Sequence, residues 1–282
     1  MAKKIPSPSN TAPKSNSDYD DVVSRIQPIH ERPVFLALLV YGRSGTGKTA
    51  FSSTLPKPLL LIDIREKGTD TVAQVSGIDV VQVETWEEFE QLYWYLASGT
   101  SKYRSVVVDQ VSQLQDLAME KVRRDEGKAD TDLISKRDWG AISGMMKTWI
   151  FNYRDLVDKG LHVCLVAHER ANSSDDAIED QIDPSIGPRL MPSVASSVNG
   201  AVSIIGNTFI RERFIGAERT RVVEYCMRVG PHAYYTTKVR TPVGVETPDV
   251  IVNPTFEKML KLTKGEALSS KVVRKSKPAK ES

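Results

Sequence analysis

The chain has 282 residues, of which 40% are apolar and 26% charged, and a formal net charge of +2. These values allow one core domain with tails and exclude a polycation that binds nucleic acid over its whole surface, and the two cysteines exclude a disulfide framework or a four-cysteine zinc site. Because the longest apolar run covers only residues 34–41 and no apolar stretch follows the first lysines, we expect neither a bilayer span nor a signal peptide, and therefore a cytoplasmic protein without membrane contact.

The two ends of the chain differ in composition from its centre. Residues 1–33 are rich in Pro, Ser, Asn and Asp and poor in apolar residues, which predicts a disordered N-terminal arm. Residues 264–282 carry six basic residues against two acidic ones, which predicts a flexible basic tail. This tail either keeps the protein in solution or contacts DNA. Residues 34–263 are predicted to form the folded domain.

Between the tails, apolar patterns predict strands that alternate with helices. Continuous apolar runs predict strands at residues 34–41, 58–63, 79–83, 105–109 and 161–167. Thr85 and Glu88 have the spacing of a capping box before one helix, and apolar residues three and four apart predict another helix over 138–157. Further runs at 201–206, 221–229 and 233–239 have no long helix between them. We therefore predict an α/β fold with a mostly parallel sheet flanked by helices and an antiparallel C-terminal extension.

The strongest motif is the stretch GRSGTGKT at residues 42–49, which matches G-x-x-x-x-G-K-[ST] in full. Its glycines let backbone N–H groups approach phosphates closely, Lys48 has the reach for the β- and γ-phosphates, and the Thr49 hydroxyl is a ligand for Mg²⁺. The motif therefore predicts ATP and Mg²⁺ as cofactors. The predicted nucleotide-binding residues are Gly42, Arg43, Ser44, Gly45, Thr46, Gly47, Lys48, Thr49 and Ala50.

An acidic residue at the end of a second buried strand completes such a site. Asp109 ends the run SVVVD and is predicted to hold Mg²⁺ together with Thr49, although a carboxylate there can also cap a helix. The next residue is Gln110, where many P-loop ATPases have their catalytic glutamate. The residue that activates water must therefore come from elsewhere. Glu66, just past the strand at 58–63, is our candidate for this role, and Asp63 is the alternative candidate. A third interpretation is that both residues are solvated loop charges.

His168 follows the buried strand at 161–167 directly. Because the carboxyl ends of parallel strands meet at one edge of a sheet, this position predicts that His168 lies near the γ-phosphate and senses it through a hydrogen bond. A coupling between the nucleotide and the loop after His168 would follow.

These pieces together resemble the RecA-like core and, more narrowly, the phage RecA-like nucleotide-binding proteins linked to single-strand annealing and recombination. The resemblance covers about residues 33–245 and rests on GRSGTGKT, LLLID with the following Glu66, SVVVD, the helix opening at Asp138-Trp139-Gly140, VAHER and Thr237-Lys238-Val239-Arg240. In RecA-like enzymes the catalytic glutamate follows the second strand. Here the spacing Asp63-Ile64-Arg65-Glu66 is one residue longer than the usual Asp-x-Glu.

The resemblance implies an ATPase that DNA stimulates, with single-stranded DNA as a partner, assembly into a homo-oligomeric ring or filament, and a single-strand DNA-binding protein as a further candidate partner. It places the protein in the bacterial host cytoplasm if a phage encodes it. It also implies that Lys238 and Arg240 reach the γ-phosphate of a neighbouring subunit. The alternative for this pair is a solvated basic strand edge.

The same resemblance implies two DNA-contacting loops, at about residues 123–137 and 170–198. The first contains the cations Arg123, Arg124, Lys128, Lys136 and Arg137. The second carries an acidic run over 175–183, which repels phosphate, and becomes less acidic from Gly187 onward. No basic stripe interleaved with aromatic residues stands out in the sequence.

Two other functional classes stay open. A motor or loader ATPase of DNA replication has the same phosphate loop, although a helicase is expected to carry further accessory domains. A small-molecule kinase, or a scaffold that uses ATP only as a switch, is the third class, although the sequence shows no arginine-rich lid.

Overall fold

The computed structural model describes residues 23–129, 131–171, 186–216 and 218–268. Contacts divide the chain into residues 1–34 and residues 35–282. In the first unit, the described part contains one turn of 3-10 helix, Ile29–Glu31, with no buried residue. Most of the predicted N-terminal arm and of the predicted basic tail lies outside the described residues.

The second unit is an alternation of strands and helices. Its strands are β1 Ala37–Gly42, β2 Leu59–Ile64, β3 Ile78–Val83, β4 Ser105–Asp109, β5 His162–Ala171, β6 Ile186–Pro188, β7 Ile204–Ile215, β8 Thr220–Arg228, β9 Lys238–Val239 and β10 Val250–Val252. Its helices are α1 Lys48–Ser52, α2 Trp86–Ala97, α3 Val111–Asp125, α4 Lys136–Asp155, α5 Pro192–Ala201 and α6 Phe256–Lys264.

The strands form one mixed sheet in the order β10-β8-β7-β1-β5-β4-β2-β3. The pairings from β3 through β7 are all parallel, and β8 and β10 continue the sheet through antiparallel pairings. Two short strands, β6 and β9, pair antiparallel with β5 and β7. This topology confirms the predicted α/β fold with a mostly parallel sheet flanked by helices and an antiparallel C-terminal extension.

Both faces of the sheet are covered by helices, which explains why its strands are continuous apolar runs. On one face, Leu39 and Tyr41 of β1 belong to a cluster with apolar residues of α2, α3, α4 and α5. On the other face, Leu38 and Val40 belong to a cluster with residues of α1 and α6. None of the described helices is long and apolar enough to cross a membrane.

Two helices begin at capping boxes, and the first of these starts confirms the prediction. The Thr85 hydroxyl accepts a hydrogen bond from the Glu88 backbone N–H, and the Glu88 carboxylate accepts one from the Thr85 backbone N–H, so the predicted capping box is present at α2. The long helix begins at Lys136 rather than 138, because Ser135 and Asp138 form a second capping box.

Two predicted strands in the last third are wrong in part. The strand predicted at 201–206 begins only at Ile204, because the preceding residues end helix α5. The strand predicted at 233–239 is limited to Lys238–Val239. The backbone groups of Tyr234 and Thr236 instead bond to Ile186, which gives a single bridge rather than a ladder.

Gly42 ends β1 where the neighbouring strand β7 comes very close. Gly42 pairs in register with Thr208, and a Cβ atom added at residue 42 would lie 2.5 Å from the Thr208 carbonyl oxygen and closer still to its hydroxyl. The Thr208 hydroxyl is held in place, because it bonds to the Thr46 hydroxyl and to the Tyr41 carbonyl. Only glycine therefore fits at this position.

We predict that Gly42→Ala destabilises the protein by about 1 to 3 kcal/mol, the usual cost of overpacking a tight contact. Gly144→Ala is the matched control, because a Cβ atom at this exposed position in α4 meets nothing within 4 Å among the described residues. That control is expected to gain about 0.5 to 1 kcal/mol, since alanine is a better helix former. Urea unfolding measures both, and equal effects of the two substitutions would contradict the close approach.

Candidate functional site

The phosphate loop joins β1 to α1 at the carboxyl edge of the parallel sheet. Gly45 and Gly47 have φ values of +78° and +88°, which side chains other than glycine rarely adopt. The Thr46 hydroxyl bonds to the Arg43 carbonyl oxygen at 2.8 Å and to the Thr208 hydroxyl at 2.7 Å. The loop is therefore fixed both internally and against β7.

Lys48 lies under this loop rather than in solvent. Its ammonium donates to the carbonyl oxygens of Gly42, at 3.1 Å, and Arg43, at 2.8 Å, and the residue is only 8% exposed. Burial lowers the pKa of Lys48, while the nearby carboxylates of Asp109 and Glu66 raise it. The ammonium is thus held against the backbone of the loop that is predicted to bind phosphate.

Thr49 and Asp109 come together as the sequence predicted. The Thr49 hydroxyl donates to Asp109 Oδ2 at 3.0 Å. Burial, followed by repulsion from Glu66 and Asp63, raises the pKa of Asp109 to about 6, although the Thr49 hydrogen bond and Lys48 lower it. The site therefore holds concentrated negative charge that a cation would relieve.

Mg²⁺ fits this pair of oxygen donors. Mg²⁺ usually binds through one or two protein oxygens and completes its shell with phosphates and water. Among the described residues, no three His, Cys, Asp or Glu side chains gather into a closed metal site. One buried oxygen, Asp63 Oδ2, also finds no hydrogen-bond partner in the described part of the chain, which leaves further negative charge uncompensated beside Asp109.

Asp63 and Glu66 have different surroundings. Asp63 is 1% exposed, and its Oδ1 accepts hydrogen bonds from the backbone N–H groups of Glu66 and Lys67 at 3.0 and 3.1 Å. It therefore stabilises the turn after β2, where Arg65 and Lys67 both have positive φ angles. The Glu66 side chain, in contrast, points toward Gln110 and His168. The extra residue before Glu66 is accommodated by this turn.

Glu66, Gln110 and His168 form one hydrogen-bonded group. Gln110 Nε2 donates to Glu66 Oε2 and lies 2.7 Å from His168 Nε2. The Glu66 carboxylate lies 3.7 Å from the His168 ring nitrogen. Burial lowers the pKa of His168, and the positive charges of Lys48 and Arg189 lower it further. The structure thus brings together His168 and Glu66, from two separate strand ends.

A second polar chain on the other side of the loop was missed in the sequence. Arg43 donates to Glu169 at 2.7 Å, Asn207 donates to the same carboxylate at 3.4 Å, and Arg228 donates to Asn207 at 2.7 Å. The Tyr225 ring also lies against Gly47, so strand β8 covers one side of the loop. The position of Glu169, next to His168 at a strand end, was the one signal available.

Lys238 and Arg240 do not approach the phosphate loop of their own chain. Lys238 pairs with Ile205 near the start of β7, whereas the phosphate loop lies beside Thr208, farther along the same strand. Both cations donate to backbone carbonyls at the end of α5, at Asn199 and Gly200, over 2.8 to 3.1 Å. Within one chain they therefore cap this helix.

The first predicted DNA-contacting loop contains cations that are paired within the chain. Four of the five are engaged by the carboxylates of Glu87, Asp138 and Glu126 or by the Asp132 carbonyl: Arg124, Lys128, Arg137 and Arg123. Residues 172–185 of the second predicted loop, which include its acidic run, lie outside the described residues. The surface cations of the first loop are thus only partly available to a phosphate backbone.

One comparison with known proteins, a family model, covers the residues of the candidate site. Residues 35–241 match the family model of the AAA domain. No curated protein matches the chain. Among solved structures, it is similar to a KaiC-like protein from Pyrococcus horikoshii OT3, with 11% identity, a TM-score of 0.39, and coverage of 78% of this chain and 89% of that one. Because the match to the family model spans most of the chain and includes the phosphate loop, the chain belongs to the AAA domain family and carries a P-loop ATPase domain.

Proposed function

We propose that this protein hydrolyses ATP with Mg²⁺ and acts on single-stranded DNA in recombination or annealing. One observation carries the hydrolysis part: Lys48, the Thr49–Asp109 pair and Glu66 meet at the carboxyl edge of the sheet although they come from three separate stretches of sequence. This set contains a cation for the phosphates, oxygen donors for the metal and a carboxylate for water.

Each residue has one role in this proposal. Lys48 binds the β- and γ-phosphates, which requires it to exchange its bonds with the loop carbonyls for bonds with phosphate oxygens. Thr49 and Asp109 hold Mg²⁺, which when bound neutralises charge on the phosphates. Glu66 orients the attacking water and accepts its proton. His168 senses the γ-phosphate next to Glu66.

The DNA part of the proposal rests on the resemblance of the motifs to RecA-like proteins and on the basic tail. Because cations of the loop at 123–137 are paired within the chain, the proposed DNA contact depends more on the tail. Assembly into a homo-oligomer is proposed because Lys238 and Arg240 lie together at the end of α5, away from their own phosphate loop. A neighbour's phosphate loop can use them if they leave the carbonyls of α5.

A motor or loader ATPase of DNA replication is the second candidate. The match to the AAA domain favours this class as much as recombination, because the family match is not specific to one process.

We predict that Glu66→Gln keeps ATP binding and lowers the rate of hydrolysis by about 10² to 10⁴-fold, because an amide cannot accept the proton. Asp63→Asn is the matched control. Its amide oxygen can still accept the bonds from Glu66 and Lys67, so hydrolysis should stay near the wild-type rate. Phosphate release and nucleotide binding are measured for both. The reverse result, with Asp63→Asn inactive and Glu66→Gln active, assigns the water to Asp63.

We predict that single-stranded DNA stimulates ATP hydrolysis, which the rate of phosphate release with and without DNA measures. Phosphate transfer to a nucleoside would instead favour a kinase.

We predict that deletion of residues 269–282 weakens DNA binding. This deletion leaves helix α6 and its cap at Gly265 intact. The plot of log affinity against log salt should become flatter by about 0.7 for each DNA phosphate that the tail no longer neutralises. A tail of the same length with its five basic residues changed to Gln is the control for chain length and should behave like the deletion. An unchanged salt slope would show that the tail does not contribute to DNA binding.

We predict that Arg240→Ala and Lys48→Ala subunits are each inactive and that an equal mixture regains activity. In a random mixture, about a quarter of the interfaces join an intact phosphate loop to an intact Arg240 from the neighbour. If Arg240 only caps α5, either Arg240→Ala alone hydrolyses ATP normally or mixing restores no activity. That outcome, in variants shown to co-assemble, would contradict the role across subunits.

A further inference from the structure

Gln110 is a buried polar residue at the centre of the candidate site. It follows Asp109 at the carboxyl end of β4, is 1% exposed, and begins the turn that leads into α3. Its side chain lies between Glu66 and His168 and contacts both. This is the position where the sequence lacks the glutamate that many P-loop ATPases have.

The contacts fix the orientation of the Gln110 amide. Its two N–H groups face two acceptors, Glu66 Oε2 and His168 Nε2. The opposite orientation would place Oε1 against the Glu66 carboxylate, acceptor against acceptor. The arrangement requires a neutral His168 that carries its proton on Nδ1, and burial favours that neutral form by lowering the pKa of His168.

The other end of the amide argues against a role in stability alone. Gln110 Oε1 is buried and finds no hydrogen-bond partner among the residues that the structure describes. An unsatisfied buried acceptor costs stability, whereas an apolar side chain of the same length does not. An amide is therefore unfavourable for packing at this position, but it makes hydrogen-bond contacts with Glu66 and His168.

The first turn of α3 supports the same two residues. Gln113 Nε2 donates to Glu66 Oε2 at 3.3 Å, and the Ser112 hydroxyl accepts from the His168 backbone N–H at 3.2 Å. Residues 110–113 thus hold Glu66 from one side and His168 from the other. Gln110 is more buried than Ser112 and Gln113, and its side chain contacts both Glu66 and His168.

We propose that Gln110 is a positioning residue for hydrolysis, which holds the Glu66 carboxylate and the His168 imidazole in one hydrogen-bonded unit. Strand β4 therefore supplies an amide that orients a carboxylate from β2, in place of a carboxylate of its own. This inference rests on the proposed ATPase function. It adds that the coupling between the water-activating residue and the phosphate sensor passes through one side chain.

The test is Gln110→Met in the full-length chain. We expect kcat for ATP hydrolysis to fall by about tenfold to a hundredfold, because a small misplacement of a reacting group has an effect of this size. The KM for ATP should not change, and the melting temperature should stay the same or rise. Gln115→Met, the same substitution farther along α3 and outside these contacts, should change neither kcat nor KM. An unchanged or increased kcat for Gln110→Met overturns the proposal.

Two further results keep a structural role separate from a positioning role. If Gln110→Met loses ATP affinity and melting temperature together, Gln110 is structural and the proposal is wrong. If Gln110→Glu, which repels Glu66, is as active as the wild type, donation from the amide is not required and the proposal is also wrong.

A spectroscopic measurement distinguishes this proposal from the proposed function. In protein labelled with ¹⁵N-histidine, the resonance of the unprotonated His168 Nε2 should shift in Gln110→Met, because this nitrogen loses the hydrogen bond from the amide. A wild-type protein without ATPase activity but with this change would overturn the proposed function and retain the hydrogen bond between Gln110 and His168. An unchanged Nε2 resonance in Gln110→Met would overturn the inference about Gln110 whatever the rate of hydrolysis.

Discussion

The parallel alignment of β1, β5, β4 and β2 is the constraint on which the site depends. Their registers place Gly42 beside His168 and Asp63 beside Asp109 at one edge of the sheet. The polar residues that follow each strand therefore lie close together. Short segments that are far apart in sequence become neighbours there, because parallel strands all end at the same edge.

Electrostatics make this edge a site for a charged ligand. Burial raises the pKa of Asp109 to about 6 and lowers the pKa of Lys48, so both charged forms are costly in the protein alone. Asp63 and Glu66 add negative charge beside Asp109. A phosphate group next to Lys48 and a divalent cation next to Asp109 would each supply the missing opposite charge. Such perturbed groups are typical of functional sites.

The fold and the phosphate loop could be predicted because their signals are local. Strand 105–109 was predicted with its observed bounds, and the capping box at Thr85 was correct. The contacts of Glu66 could not be predicted, since they depend on a turn in which Arg65 and Lys67 have positive φ angles, which the sequence does not reveal. The hydrogen bond of Lys238 to the end of α5 could not be predicted, because α5 is rich in small and polar residues and its sequence has only a weak helical pattern.

The central claim is that one nucleotide binds across Lys48, Thr49 and Asp109 with Glu66 facing its terminal phosphate. A structure with Mg²⁺ and a non-hydrolysable ATP analogue tests it most directly. The account predicts Mg²⁺ at about 2.0 to 2.1 Å from the Thr49 hydroxyl. It also predicts a water molecule that contacts both Glu66 and the γ-phosphate. A nucleotide bound elsewhere, or a Glu66 carboxylate turned away from the γ-phosphate, would contradict it.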